Sequence, residues 1–198
     1  LVLLTAFGIT ALLGGLNTAP DKEPPKIAAG QKIDQGRFET EFVEAKVTVQ
    51  KAADEFAQDR RYLDLLFKVT NKDSETTLTG SPPNSKGSGS GFAATLAKMT
   101  PEIKSDWGGL AFVPSGDAQS SQLHPGIAVP VTVRYELDKA AQAPAEVSLS
   151  LSKLEKVENP LSGQTTWLPV TDEDPIAGTR TVEVIATITA PVKQEPTS

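Results

Sequence analysis

Residues Ile127 to Leu137 read IAVPVTVRYEL, and Ile127, Val129, Val131, Val133, Tyr135 and Leu137 occupy every second position. A period of two places all six on one face of an extended chain, whereas a helix would need a period of 3.6. The stretch predicts a half-buried strand, with one face on a core and the other in water. Pro130 falls on the opposite face and cannot donate to a ladder, which predicts an edge position or a strand end there.

The same period recurs along the chain. Leu63, Leu65, Phe67 and Val69 alternate with Asp64, Leu66, Lys68 and Thr70, and Asn71-Lys72-Asp73 then turns the chain. Val147, Leu149 and Leu151 alternate with serines, and Val182, Val184, Ala186 and Ile188 repeat the pattern. Leu65, Phe67, Val131, Val133, Leu149 and Val184 are therefore expected to point inward on facing strands. Upstream, Phe38, Thr40 and Phe42 share one parity, and Ala45, Val47 and Val49 share the other. A shift of one residue reverses every side chain, so a β-bulge or break is expected near Val43-Glu44. About seven to nine strands separated by turn signals point to an antiparallel sandwich. Gly80 to Gly91 (GSPPNSKGSGSG) reads as a polar loop with nothing to bury. Phe92 to Met99 (FAATLAKM) suits a strand or a short helix, with composition slightly favouring helix.

Before the strands, Leu1 to Leu16 (LVLLTAFGITALLGGL) carries no charge and is followed at once by an acidic, Pro-rich stretch, Pro20 to Lys26. Sixteen helical residues reach about 24 Å, short of the roughly 30 Å hydrocarbon core. The chain opens on Leu rather than Met, so a few residues upstream are expected to complete a span. A signal peptide cut after Ala19 would put Asn17 inside the cleavage site and Pro20 directly after it, both unfavourable. The run therefore reads as an uncleaved single-pass anchor in the cell membrane. Lys22 and Lys26 are offset by Asp21 and Glu23, so no basic cluster holds that side in the cytoplasm, and the C-terminal domain is expected to be extracytoplasmic.

Composition narrows the function classes. A chain that is 38% hydrophobic and 22% charged is globular. A net charge of −6 argues against nucleic acid as a partner, because that requires a basic face to displace counterions. The absence of Cys removes disulfides, thiolate metal sites and Cys nucleophiles together. His124 is the only histidine and lies in Leu123-His124-Pro125-Gly126, which is turn chemistry. Asp172-Glu173-Asp174 lacks the spacing of a calcium loop and reads as a solvated acidic loop. Lys86 stands in the order Ser-Lys-Gly, not Gly-Lys-Ser, so the amides and the lysine of a phosphate loop would not converge. Gly87 to Gly91 matches a nucleophile elbow only through low complexity. No catalytic residue, metal ligand or cofactor site is assigned.

Two aromatic residues remain. Trp167 begins a short apolar run and is expected at the core or its rim. Trp107, in Asp106-Trp107-Gly108-Gly109, is a candidate partner-binding anchor, because Trp is over-represented at binding hot spots. In the apolar run, Ala11 and Gly15 have small-xxx-small spacing, which lets helix backbones approach closely, and are the second candidate partner contact.

Gly30 to Val49 (GQKIDQGRFETEFVEAKVTV), Leu63 to Asn71 (LDLLFKVTN) and Pro125-Gly126 ahead of Val131-Thr132-Val133 resemble actinobacterial membrane-anchored extracytoplasmic proteins. Those proteins carry an immunoglobulin-like β-sandwich of the DUF4352 or telokin-like kind. Gly30, Ile33, Gly36, Arg37, Phe38, Val69, Thr70, Asn71, Pro125 and Gly126 carry the resemblance, which covers roughly half the chain. It implies an all-β, antiparallel immunoglobulin-like sandwich behind one N-terminal transmembrane helix. These motifs specify turns and strand ends, so no functional residue follows from them.

The expected organisation is an anchor over residues 1–17, a Pro-rich linker over 18–29, the sandwich over 30–190 and a polar tail over 191–198. The expected function is non-enzymatic: an interaction module that is an accessory or assembly subunit of an integral membrane protein complex, held in the lipid bilayer by its helix. An actinobacterial respiratory supercomplex is one concrete form, resting on the organism class that the resemblance implies. The competing reading is an extracytoplasmic ligand, ion or cell-wall sensor.

Overall fold

The structure is a computed structural model that describes residues 23–194 apart from 53, 55, 85–87, 104–107, 117, 140 and 174–179. The chain opens with β1 (Lys26–Ile27), β2 (Lys32–Asp34), β3 (Phe38–Gln50) and β4 (Arg60–Asn71). After β5 (Thr77–Leu78), a 3-10 helix at Phe92–Thr95 leads into β6 (Leu96–Thr100) and β7 (Gly109–Ser115). Next come β8 (Ala118–Ser120), β9 (Gln122–Leu123), β10 (Ala128–Leu137), β11 (Glu146–Ser152), β12 (Leu154–Glu158) and β13 (Thr165–Pro169). β14 (Thr171–Glu173), β15 (Arg180–Val182) and β16 (Val184–Lys193) complete the order.

The protein is an all-β sandwich. Its strands follow the order β6-β11-β16-β3-β4-β10-β7-β8, with β1 added beside β16 and β2 beside β3. The two arms of this path meet where Val192 and Lys193 pair in parallel with Ala45 and Lys46. Apart from that contact and the parallel β1–β16 pair, the named pairings are antiparallel. The inner faces of both arms form one apolar core. One arm supplies Phe42, Leu63, Leu65, Phe67, Val131 and Val133, and the other supplies Leu96, Val147, Leu149, Leu151 and Ile188. At its centre Phe42, Phe67, Phe92 and Phe38 form a chain of edge-on rings with centroids 5.3 to 5.6 Å apart. That geometry sets the positive ring edge against the negative ring face.

The alternation in β4 and β10 is present as expected. Phe67 lies opposite both Phe42 and Val131, and Leu65 lies opposite both Ala45 and Val133. The bulge is there too: Phe42 opposes Phe67 but Glu44 opposes Leu66, leaving Val43 as the extra residue, half exposed to water. Pro130 takes the edge alternative: it is the third residue of β10 and pairs with Lys68 on one side, while the β7 pairing covers only Thr132 to Tyr135 and leaves its other side unflanked.

Some expectations change. Val184 is only half-buried, because the register shifts after Leu151 and sets Val184 opposite Ser152, while Ala186 keeps the core parity. Val182 belongs to the separate β14–β15 pair and is 40% exposed. Ile127 precedes β10 and is exposed. The Phe92–Met99 stretch uses both alternatives in turn, a 3-10 helix and then β6. The sandwich also reaches beyond the boundaries drawn at 30 and 190. β1 lies within the expected linker, and Val192, in the expected tail, is buried.

The two ends of the Gly80–Gly91 stretch are docked on the sandwich. Ser81 and Ser90 pair, Pro82 is buried, and the buried Thr79 donates from Oγ1 to the Ala111 carbonyl at 2.6 Å. Gly80 and Gly91 have φ of 72° and 58°, and a Cβ on either would strike a carbonyl oxygen, that of Ser90 or of Leu78. Only glycine fits both demands.

Candidate interaction surface

The period of two that buries one face of β4 and β10 turns Tyr62, Asp64, Arg134 and Glu136 to the outer face. On the neighbouring strands, Thr48 and Gln50 of β3, Leu110 and Phe112 of β7, and Gln119 of β8 lie on the same side. Asp64 has 2% of its surface exposed, although it stands mid-strand where a carboxylate is disfavoured. Its partner is Arg134, directly opposite in the ladder. Arg134 Nε donates to Oδ1 and Nη2 to Oδ2, both at 2.7 Å. Thr48 Oγ1 adds a third bond to Oδ2 at 2.9 Å. The guanidinium lies 4.5 Å from the Tyr62 ring centroid and 5.2 Å from that of Phe112. Hydrogen bonding to Asp64 holds the Arg134 pKa above its ordinary value, with burial opposing.

Around this pair lies an open cleft of about 340 Å³, lined by Gln50, Arg60, Tyr62, Leu110, Phe112 and Glu136 among others. Tyr62 donates its hydroxyl to Gln50 Oε1 at 3.2 Å. Arg60 and Glu136 stand 3.9 Å apart at the rim. Leu110 is 57% exposed within it, an apolar contact with a polar border. The fixed Arg–Asp fork makes the floor rigid, and both its charges are already spent on each other.

A second cluster pins the β12–β13 hairpin to the end of the sandwich. Asp73 accepts from Trp167 Nε1 at 2.8 Å and faces Lys156 Nζ and Arg37 Nη2, each at 3.4 Å. Arg37 lies between the Phe38 and Trp167 rings, at 5.8 and 5.9 Å from their centroids, and its Nε is buried without a hydrogen-bond partner. Burial works to raise the Asp73 carboxyl. It is outweighed by the Trp167 N–H, the Ser74 backbone N–H and the Lys156 ammonium, and the pKa falls below its ordinary value. The fully buried Gln35 donates from Nε2 to the Ser152 carbonyl, and its backbone carbonyl accepts from the Leu154 N–H, both at 2.9 Å.

The residues singled out from the sequence fall as follows. Trp167 is at the core rim, half-buried. His124 is exposed, in the expected turn, with Nδ1 3.0 Å from Thr76 Oγ1. Asp172 and Glu173 sit on β14 rather than in a loop, and Asp174 and Lys86 lie outside the described residues. Trp107, Ala11 and Gly15 also lie outside them. Among the described residues no cluster of three potential metal ligands occurs, and no helix is long and apolar enough to cross a membrane. The Asp64–Arg134 fork leaves only a faint signal in the sequence, a charged residue in the middle of each of two alternating strands.

No protein-family model matches the chain, and no curated protein matches it. Among solved structures, it is similar to an uncharacterized β-sandwich protein from Clostridium difficile 630. The two are 11% identical with a TM-score of 0.38, over 76% of this chain and 96% of the other.

Proposed function

We propose that the chain is a non-enzymatic, membrane-anchored interaction module: an accessory or assembly subunit of a larger membrane protein complex, with its immunoglobulin-like sandwich outside the cytoplasm. The carrying observation is the outer face of the sandwich. It presents a rigid aromatic and charged floor beneath an exposed Leu110, with the Arg134 and Asp64 charges neutralising each other. Such a face offers area and shape to a partner, with its buried Arg–Asp pair engaged internally. The uncharged Leu1–Leu16 run and the prolines at 20, 24 and 25 support attachment to a bilayer by a stiff tether.

Protease added to spheroplasts tests the placement. The full chain should remain with membranes through an alkaline wash while its C-terminal domain is degraded from outside. A soluble, N-terminally cut form in the medium would overturn the anchored reading. Replacing Ala11 and Gly15 with Leu should reduce recovery of partner chains if the helix packs against partner helices. Unchanged recovery confines the docking to the sandwich.

A further inference from the structure

The backbone register fixes which end of the sandwich receives the N-terminal segment. β1 runs parallel to β16 with Lys26 opposite Thr187, and the Pro25 carbonyl accepts from the Thr187 N–H at 2.9 Å. Val192, five residues further along β16, is level with Ala45, so Thr187 lies toward the Phe38 end of β3. The chain therefore enters beside the start of β16, at the end where Gln35 and Ser152 hold the base of the β12–β13 hairpin. The β3–β4 connection, Lys51 to Asp59, is at the opposite end, beyond the Gln50–Arg60 pair.

The turns at these two ends differ in chemistry. Both carry a highly exposed apolar residue, Leu161 at 96% and Phe56 at 89%. Phe56 is flanked by Lys51, Asp54, Asp59 and Arg60, charges that favour water. Leu161 sits in Asn159-Pro160-Leu161-Ser162-Gly163-Gln164, six uncharged residues closed by the Glu158–Thr165 pair, with the Glu158 carboxylate beside Gly163 at the base of the turn. Its form is set by the Asn159 side chain, which accepts from the Leu161 N–H at 2.9 Å, and by the Gly163 N–H donating to the Asn159 carbonyl at 2.8 Å. Leu168 of the same hairpin and Val182 beside it are 45% and 40% exposed. Residues 17–25 between the apolar run and β1 span at most about 30 Å when fully extended.

We infer that the uncharged Asn159–Gln164 turn, with Leu161 at its tip, enters the interfacial layer of the bilayer and gives the domain a second membrane contact beside its tether. This rests on the anchored reading above and adds which end of the sandwich faces lipid. A small apolar tip on an uncharged turn suits the headgroup region, where the exposed Glu158 at its base stays in water, and the clamp of Trp167, Lys156 and Arg37 on Asp73 holds the hairpin in place for it.

The chain has no cysteine, so single introduced thiols can be labelled cleanly. Leu161→Cys and Phe56→Cys, each in the full chain and carrying a bimane label, would be reconstituted into phosphatidylcholine–phosphatidylglycerol vesicles containing headgroup nitroxide lipid. Bimane at position 161 should shift to the blue and be quenched several-fold more than bimane at position 56. Equal quenching, with the chain retained through an alkaline wash, overturns the hairpin contact and leaves the anchor standing. Release of the chain by the wash overturns both. Quenching of 161 lost in Leu161→Cys combined with Asp73→Asn would show that the clamp sets the contact.

Discussion

Phe67 shows how much of the core rests on one side chain. It is 1% exposed, lies opposite Phe42 and Val131, and makes edge-on contacts with two rings. Phe67→Ala is expected to cost about 3–5 kcal/mol, since the opposing arms cannot close over the lost ring. Ser150, on the other parity of β11, should tolerate alanine within about 0.5 kcal/mol. Chemical denaturation of both variants checks this, and equal losses would contradict the strand parity. Arg134→Ala belongs at the same scale. It strips the bidentate partner from a carboxylate that is 2% exposed, and a loss of about 3 kcal/mol is expected. Replacing Asp64 and Arg134 together by Leu should restore much of it, and a double variant as unstable as the single one would contradict that view.

At the scale of elements, the β12–β13 hairpin depends on ionised Asp73. Its pKa is lowered in the fold, so it contributes stability above its ordinary value of 3.8, and that contribution is lost as pH falls through the lower folded value. With Trp107→Phe to leave one indole, Trp167 emission should change below pH 3.8, and Asp73→Asn should show the changed emission already at neutral pH. Emission indifferent to both would contradict the clamp. Elements also mark what could be read from sequence. The bulge at Val43 was legible because parity reverses within one strand, between Phe42 and Ala45. The shift at Ile185 was not, because Val184 and Ala186 look like one alternating run until Ser152 and Leu151 are set opposite them. Gly80–Gly91 misled through composition: polar letters conceal a close backbone approach and a buried Pro82. The Asp64–Arg134 fork joins residues 70 positions apart, and only pairing of β4 with β10 brings them together.

For the whole molecule, we propose that the sandwich docks on a membrane protein through its outer face. Leu110, exposed above the Arg–Asp floor, is the point on that face where a charge would disturb docking without entering the core. Leu110→Glu is expected to change folding stability within about 0.5 kcal/mol, as surface substitutions do, and to remove most of the bound partner. The direct measurement is native mass spectrometry of the full chain extracted in a mild detergent, with wild type and Leu110→Glu side by side. The expected result is a defined stoichiometric complex with integral membrane chains for the wild type, and the free subunit for the variant. A wild-type chain that is extracted alone, or a complex that Leu110→Glu leaves intact, would contradict it.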